Sequence, residues 1–199
     1  MKLIIASNNL NKIREIKNIC SEFSYEIVSL KDEKIDIDVL ENGKTIEENS
    51  FKKANEIYKY LIKQQAKDFL ILSDDSGLMI EYLNNQPGVM SARFAGESCD
   101  DNKNNDKVLE LLKNVEYSKR NAKFLTVITL MDDKGNYNQF SGEVNGIITE
   151  EKQGKNGFGY DCLFYVEEYK KTFAELTPYE KNSISHRGRA LFKLKEYLK

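Results

Sequence analysis

Residues 70–80 read LILSDDSGLMI, and the reading of this stretch decides the architecture. The apolar run at 69–72 is short and rich in strand formers, the pattern of a strand buried on both faces in an α/β protein. Asp74 and Asp75 sit where that strand is expected to end. Gly77 then turns the chain into a second apolar run at 78–80. Two adjacent carboxylates at the mouth of a core strand are costly unless something cationic neutralises them.

The chain has 199 residues, of which 40% are hydrophobic and 31% charged, so it folds around a sizeable core. Its 30 basic and 32 acidic residues leave a net charge of −2. That balance argues against a nucleic-acid polymer or an anionic membrane as partner and leaves room for a small anionic ligand in a local basic pocket. The first apolar run, residues 3–6, is far too short for a membrane span or a secretory signal. Cys20, Cys99 and Cys162 are widely separated and form no CxxC, so packing is their expected role and a cytoplasmic location follows.

Outward from 70–80, the strand–helix–strand order is clear. Residues 2–6 read as a strand, and Ile13, Ile16, Cys20 and Phe23 recur at helical spacing after it. A second strand covers 25–30 and an acidic loop 31–44. Thr45 and Glu48 match a capping box that opens a helix to about Ala66, with Ala54, Ile57 and Leu61 inward. Residues 84–88 are a turn cluster and 98–105 a polar loop, followed by a helix through Val108, Leu111, Leu112 and Val115. Residues 122–131 and 137–149 flank a turn and read as a hairpin. A strand at 161–166 and a helix carrying Leu191, Leu194 and Leu198 complete the chain. No repeat or linker divides it, so residues 1–199 are expected to form a single α/β domain with a mixed sheet.

Four constellations could carry chemistry. Ser7, Asn8, Asn9, Leu10, Asn11 and Lys12 lie between the first strand and the first helix, where helix amides and a Lys suit a phosphate. The same residue types also cap helices without any ligand. Asp74 and Asp75 suit a divalent cation such as Mg²⁺, which prefers oxygen ligands, although a salt bridge would neutralise them equally well. Glu41, Glu47 and Glu48 are further acids within the same reading. Phe158, Gly159, Tyr160 and Asp161 lie in a glycine-rich segment that permits close approach of a flat ligand or simply forms a tight turn. Lys181, His186 and Arg187 form a compact set of donors around the only histidine.

Taken together, residues 7–12, 73–77 with 87–88 and 91–93, 157–161 and 180–187 resemble the inosine triphosphate pyrophosphatases, in order and over practically the whole chain. The resemblance implies a two-lobed α/β fold with a long twisted mixed β-sheet flanked by helices, an active-site cleft between lobes, and a homodimer. It implies Mg²⁺-dependent cleavage of ITP, dITP and XTP to monophosphate and pyrophosphate. Carried over by motif, Asp75 is the catalytic carboxylate and a metal ligand, Glu41 the second metal-site acid, and Ser76 a substrate contact. Ser7 to Lys12, with Lys53, are phosphate ligands. Phe158 to Asp161, with Lys181, His186 and Arg187, are nucleoside and base contacts. The family's usual TGN opening is Ser7-Asn8-Asn9 here, and Asn tolerates left-handed backbone well enough to replace the glycine. On this reading Mg²⁺ and the triphosphate neutralise Asp74 and Asp75. The rival readings are a pyrophosphatase for pyrimidine or modified nucleotides and a catalytically silent nucleotide sensor.

Overall fold

Strand β1 (Lys2–Ala6) pairs in parallel with β2 (Glu26–Ser29) on one side and with β3 (Phe69–Ile80) on the other. The computed structural model, which describes residues 1–199, continues this mixed sheet through β5 (Asn121–Asp132), β6 (Tyr137–Ile148), β7 (Phe164–Val166) and β8 (Lys171–Thr172). Its order is β2-β1-β3-β5-β6-β7-β8, and a short β4 (Gln86–Pro87) lies antiparallel against the end of β3.

The chain divides into two compact units. One comprises Met1–Asp75, Thr126–Gly142 and Arg187–Lys199, the other Ser76–Leu125 and Glu143–His186. In the first unit the period-two alternation of β1 serves two cores at once. Ile4 and Ala6 pack with Ala54, Ile57 and Leu61 of helix α2 (Ile46–Lys63). Leu3 and Ile5 pack with Ile16 of α1 (Leu10–Ile19) and with Ala190, Leu191 and Leu194 of α5 (His186–Tyr197). In the second unit, Leu78 and Ile80 join Val108 of α3 (Asp101–Leu111), Phe124, Phe164 and Phe173 in one cluster. No helix is long and apolar enough to cross a membrane.

Four local expectations change. The strand beginning at Phe69 does not end at the acid pair and no turn forms at Gly77: β3 runs unbroken to Ile80. It continues because its polar residues find partners inside the protein, as when Ser73 Oγ donates to the Ser50 carbonyl at 2.6 Å. The polar stretch 98–105 is helical from Asp101 onward, since Asp100 Oδ1 accepts from the Asn102 and Lys103 amides at 2.9 and 3.2 Å. An additional helix, α4 (Pro178–Ile184), precedes α5 and starts at a Thr177/Glu180 capping box. The strand expected at 161–166 shortens to Phe164–Val166. Thr45 caps α2 through the Glu48 amide at 3.1 Å, while the Glu48 carboxylate turns to the Lys44 amide.

In the second unit a buried Arg120 closes the end of α3. Its Nη2, Nε and Nη1 donate to the carbonyls of Leu112, Val115 and Thr149 at 2.8, 3.1 and 2.9 Å. The cation meets the carbonyl-rich helix C-terminus, where positive charge is favoured. Arg120→Ala leaves three carbonyls without these donors. It is expected to cost about 2–4 kcal/mol, read from the midpoint shift of a urea unfolding curve.

Candidate functional site

The two adjacent acids of β3 have different surroundings, as strand alternation requires. Asp74 is 1% exposed. Lys12 Nζ lies 2.7 Å from its Oδ1, and Arg187 Nε donates to Oδ2 at 3.0 Å with Nη2 3.3 Å from Oδ1. Arg187 Nη1 also pairs with Glu15, which stands one helical turn after Lys12 on the same face of α1. Burial alone would raise the Asp74 pKa, but Arg187 and then Lys12 hold it well below the usual carboxylate range. The Arg187 guanidinium is raised in turn by Asp74 and Glu15 against the opposing effect of its burial. The expectation that Mg²⁺ neutralises Asp74 is therefore corrected: two protein cations already do so.

Asp75 has a thinner complement. Lys53 Nζ donates to its Oδ1 at 2.8 Å and to the Asp74 carbonyl at 2.6 Å, and lies 2.9 Å from Glu41 Oε1. One ammonium thus serves two carboxylates. Burial, reinforced by the Glu41 charge, pushes the Asp75 pKa up against Lys53 and Lys12. At Glu41 burial also raises the pKa, but the Lys53 charge outweighs it and the net direction is down. Lys53 is raised: burial opposes its charge, and Asp75 followed by Glu41 more than offsets that. No three or more His, Cys, Asp or Glu side chains converge in a group that could hold a metal ion. Asp75 and Glu41 are nevertheless oxygen donors gathered at one point, which fits an ion that takes one or two carboxylates and fills its remaining positions with phosphate oxygens and water.

The polar stretch before α1 folds as a cap. Asn9 Oδ1 accepts from the Asn11 and Lys12 amides at 3.0 and 3.1 Å. The Asn9 amide donates to Ser7 Oγ at 3.2 Å, and Asn8 Nδ2 to the Ile37 carbonyl at 3.2 Å. Leu10 is exposed. The capping reading of residues 7–12 therefore holds, and Lys12 leaves the loop to reach Asp74.

The second unit contains the half-buried Ser76 and, elsewhere in the chain, the 157–161 loop with Lys181 and His186. Gly157 and Gly159 take φ of +77° and +61°, conformations that disfavour a side chain. A Cβ on Gly157 would also collide with the Asp161 carboxylate. Asp161 Oδ2 accepts from the Phe158 amide at 2.9 Å and from Lys181 Nζ at 2.5 Å, and Lys181 Nζ stands 4.8 Å from the Phe158 ring centroid. The Tyr160 hydroxyl donates to the Ser91 carbonyl at 2.7 Å, and burial raises its pKa. His186 is buried and stacked on Phe124, with centroids 4.6 Å apart, and more distantly on Phe173.

The three C-terminal donors therefore do not act as one set. Lys181 belongs with Phe158 and Asp161, and His186 stacks on Phe124 and Phe173. Arg187, the next residue, belongs with Asp74, because consecutive helical residues point about 100° apart. Glu15 was missed by sequence reasoning, although its spacing from Lys12 placed both on one helix face. Phe124 and Phe173 lie too far from His186 in sequence to have been signalled.

The Ham1 family profile matches residues 3–197. This chain belongs to the Ham1 family. A dITP/XTP pyrophosphatase of Clostridium perfringens (strain 13 / Type A) is 57% identical over 198 residues, covering 100% of this chain and 97% of the relative. One from Bacillus anthracis is 44% identical over 197 residues, covering 98% and 95%. The solved Ham1 protein of Staphylococcus aureus has a TM-score of 0.85 at 39% identity, covering 100% of this chain and 98% of its own. A nucleoside-triphosphatase / dITP/XTP pyrophosphatase from Mycobacterium abscessus gives 0.76 at 38%, covering 98% of each. The mixed α/β fold of this Ham1-family chain is thus shared along essentially its full length.

The geometry predicts unequal consequences for the two acids. Asp74→Asn leaves Arg187 and Lys12 facing a neutral amide and is expected to cost about 3–5 kcal/mol. Asp75→Asn, which leaves Lys53 with Glu41, is expected to cost clearly less. Guanidinium unfolding of both variants checks this, and equal losses would contradict the division of roles.

Proposed function

We propose that this protein is a nucleoside triphosphate pyrophosphatase that hydrolyses the non-standard purine nucleotides ITP, dITP and XTP to monophosphate and pyrophosphate. The observation that carries the chemistry is the inequality of the acid pair: Asp74 is fully paired, while Asp75 shares one ammonium with Glu41. The relatives from Clostridium perfringens and Bacillus anthracis, both named dITP/XTP pyrophosphatase, support the substrate class.

In this reading Asp75 is the catalytic carboxylate. Its raised proton affinity suits a base that orients and deprotonates the water attacking the α-phosphorus, with pyrophosphate leaving. Lys53 holds Asp75 in place and, with Lys12, offers ammonium donors to the phosphate oxygens. Ser7 to Asn11, which lead into Lys12, are read as further phosphate contacts. Asp75 and Glu41 would hold Mg²⁺, which when bound offsets charge developing on the phosphates. A homodimer working in the cytoplasm completes the reading.

Residues of the second unit serve the base. The Phe158 ring offers a stacking face, and Lys181, anchored by Asp161, presents only donors. His186 is held flat by Phe124 and Phe173. Hypoxanthine and xanthine carry an acceptor oxygen at position six, whereas adenine carries an amino group that leaves a donor unanswered. Arg187 is better cast as the positioning partner of Asp74 than as a base contact.

A pyrophosphate-release assay over ITP, XTP, GTP, ATP and dTTP with Mg²⁺ tests the assignment, with ITP and XTP expected to be turned over fastest. Asp75→Asn is expected to abolish turnover in a folded protein. Activity above roughly a tenth of wild type would remove its catalytic role. Lys181→Ala is expected to lower the ITP-to-ATP ratio of kcat/KM by about tenfold, equivalent to ~1.4 kcal/mol of lost discrimination. Parallel losses on both substrates would assign Lys181 to the phosphates instead.

A further inference from the structure

Helix α3 presents two adjacent asparagines, both 2% exposed, to two different loops. Asn104 closes the turn at 92–95, donating to the Ala92 carbonyl at 2.9 Å and accepting from the Ala95 amide at 2.7 Å. Asn105 reaches the 157–161 loop. Its Nδ2 donates to the Gly159 carbonyl at 2.9 Å and to the Asp101 carbonyl at 2.7 Å. Asp101, one turn earlier, accepts the Gly159 amide on Oδ2 at 2.7 Å.

Gly159 is thus gripped at both its N–H and its C=O by side chains one helical turn apart. It has no side chain with which to anchor itself, and its φ of +61° places it in a turn that depends on backbone bonds. Two carbonyl acceptors fix which way its amide points, and Oδ1 is left buried without a hydrogen-bond partner. A donor role toward two backbone carbonyls is thus the one that Asn105 serves here.

We infer that Asn105 and Asp101 are positioning residues for base recognition. By holding Gly159 they fix the 157–161 loop, and with it the Phe158 ring and the Asp161 carboxylate that orient Lys181. Neither residue is required to touch substrate. The inference rests on the reading of Phe158, Asp161 and Lys181 as base contacts, and the test separates the two.

KM and kcat for ITP are measured on the full-length protein and on Asn105→Ala, Asp101→Ala, Asp101→Asn and Lys181→Ala, each checked for folding by circular dichroism. Inorganic tripolyphosphate serves as an inhibitor that reports on phosphate binding alone. Asn105→Ala and Asp101→Ala are expected to raise KM about fivefold or more, with kcat and the tripolyphosphate inhibition constant unchanged within about twofold. Asp101→Asn keeps an oxygen acceptor for the Gly159 amide and is expected to restore KM to near the wild-type value. A general loss of structure would weaken ITP and tripolyphosphate together, and that result overturns the inference. So does an unchanged KM in the folded alanine variants. If Lys181→Ala raises KM while the α3 variants do not, the inference falls and the base reading stands. If Lys181→Ala also leaves KM unchanged, both fall. Should Asn105→Ala fail to fold, the comparison of Asp101→Ala with Asp101→Asn, at an exposed position, decides alone.

Discussion

The buried ion cluster around Asp74 is the constraint on which the first unit turns. One carboxylate receives Lys12 from α1 and Arg187 from α5, and Arg187 in turn holds Glu15. Desolvating these charges is expensive, so the cluster exists only if α1, β3 and α5 meet in one arrangement. Its yield is specificity of assembly more than net stability. It also explains how β3 can carry two acids through the interior without ending: one is neutralised by the protein, and only the other has coordination to spare.

Much of this architecture was legible because it rests on local periodicity. Leu3 to Ala6, Ile16 with Cys20, and Ala54 with Ile57 and Leu61 announce β1, α1 and α2 by their spacing, and each is buried as expected. The misreadings share one cause. In β3, Ser73, Asp74 and Asp75 looked like a strand end because the partners that permit their burial, Ser50, Arg187 and Lys53, lie elsewhere in the sequence. Residues 101–105 looked like a loop because Asn and Asp favour loops when nothing distant claims their side chains. Here Ala92, Ala95 and Gly159 claim them. Polar residues in a core are decided by tertiary partners, and a single sequence does not display those.

The candidate site divides the same way. Motifs located Asp75, Lys12, Lys53, Phe158, Asp161 and Lys181, and the structure groups them as Lys12 and Lys53 with the acids and Lys181 with Asp161. What the motif could not convey is that His186 and Arg187 diverge. Adjacency in sequence suggested a shared role, yet one ring stacks on Phe124 while the neighbouring guanidinium is bound to carboxylates. Both stand in the first turn of α5, where successive side chains point about 100° apart, and the location of that turn depends on Ser185 ending the preceding helix.

Charge around Asp75 also constrains what this site accepts. Lys12 and Arg187 pair with Asp74, while the Lys53 ammonium stands against both Asp75 and Glu41. Burial, with the Glu41 charge added to it, shifts Asp75 toward the protonated form. On the proposed function, a divalent cation arriving with the triphosphate would favour the ionised Asp75 that a base must be. In that reading the burial that favours protonated Asp75 in isolation would make its activation follow arrival of the metal-bound nucleotide.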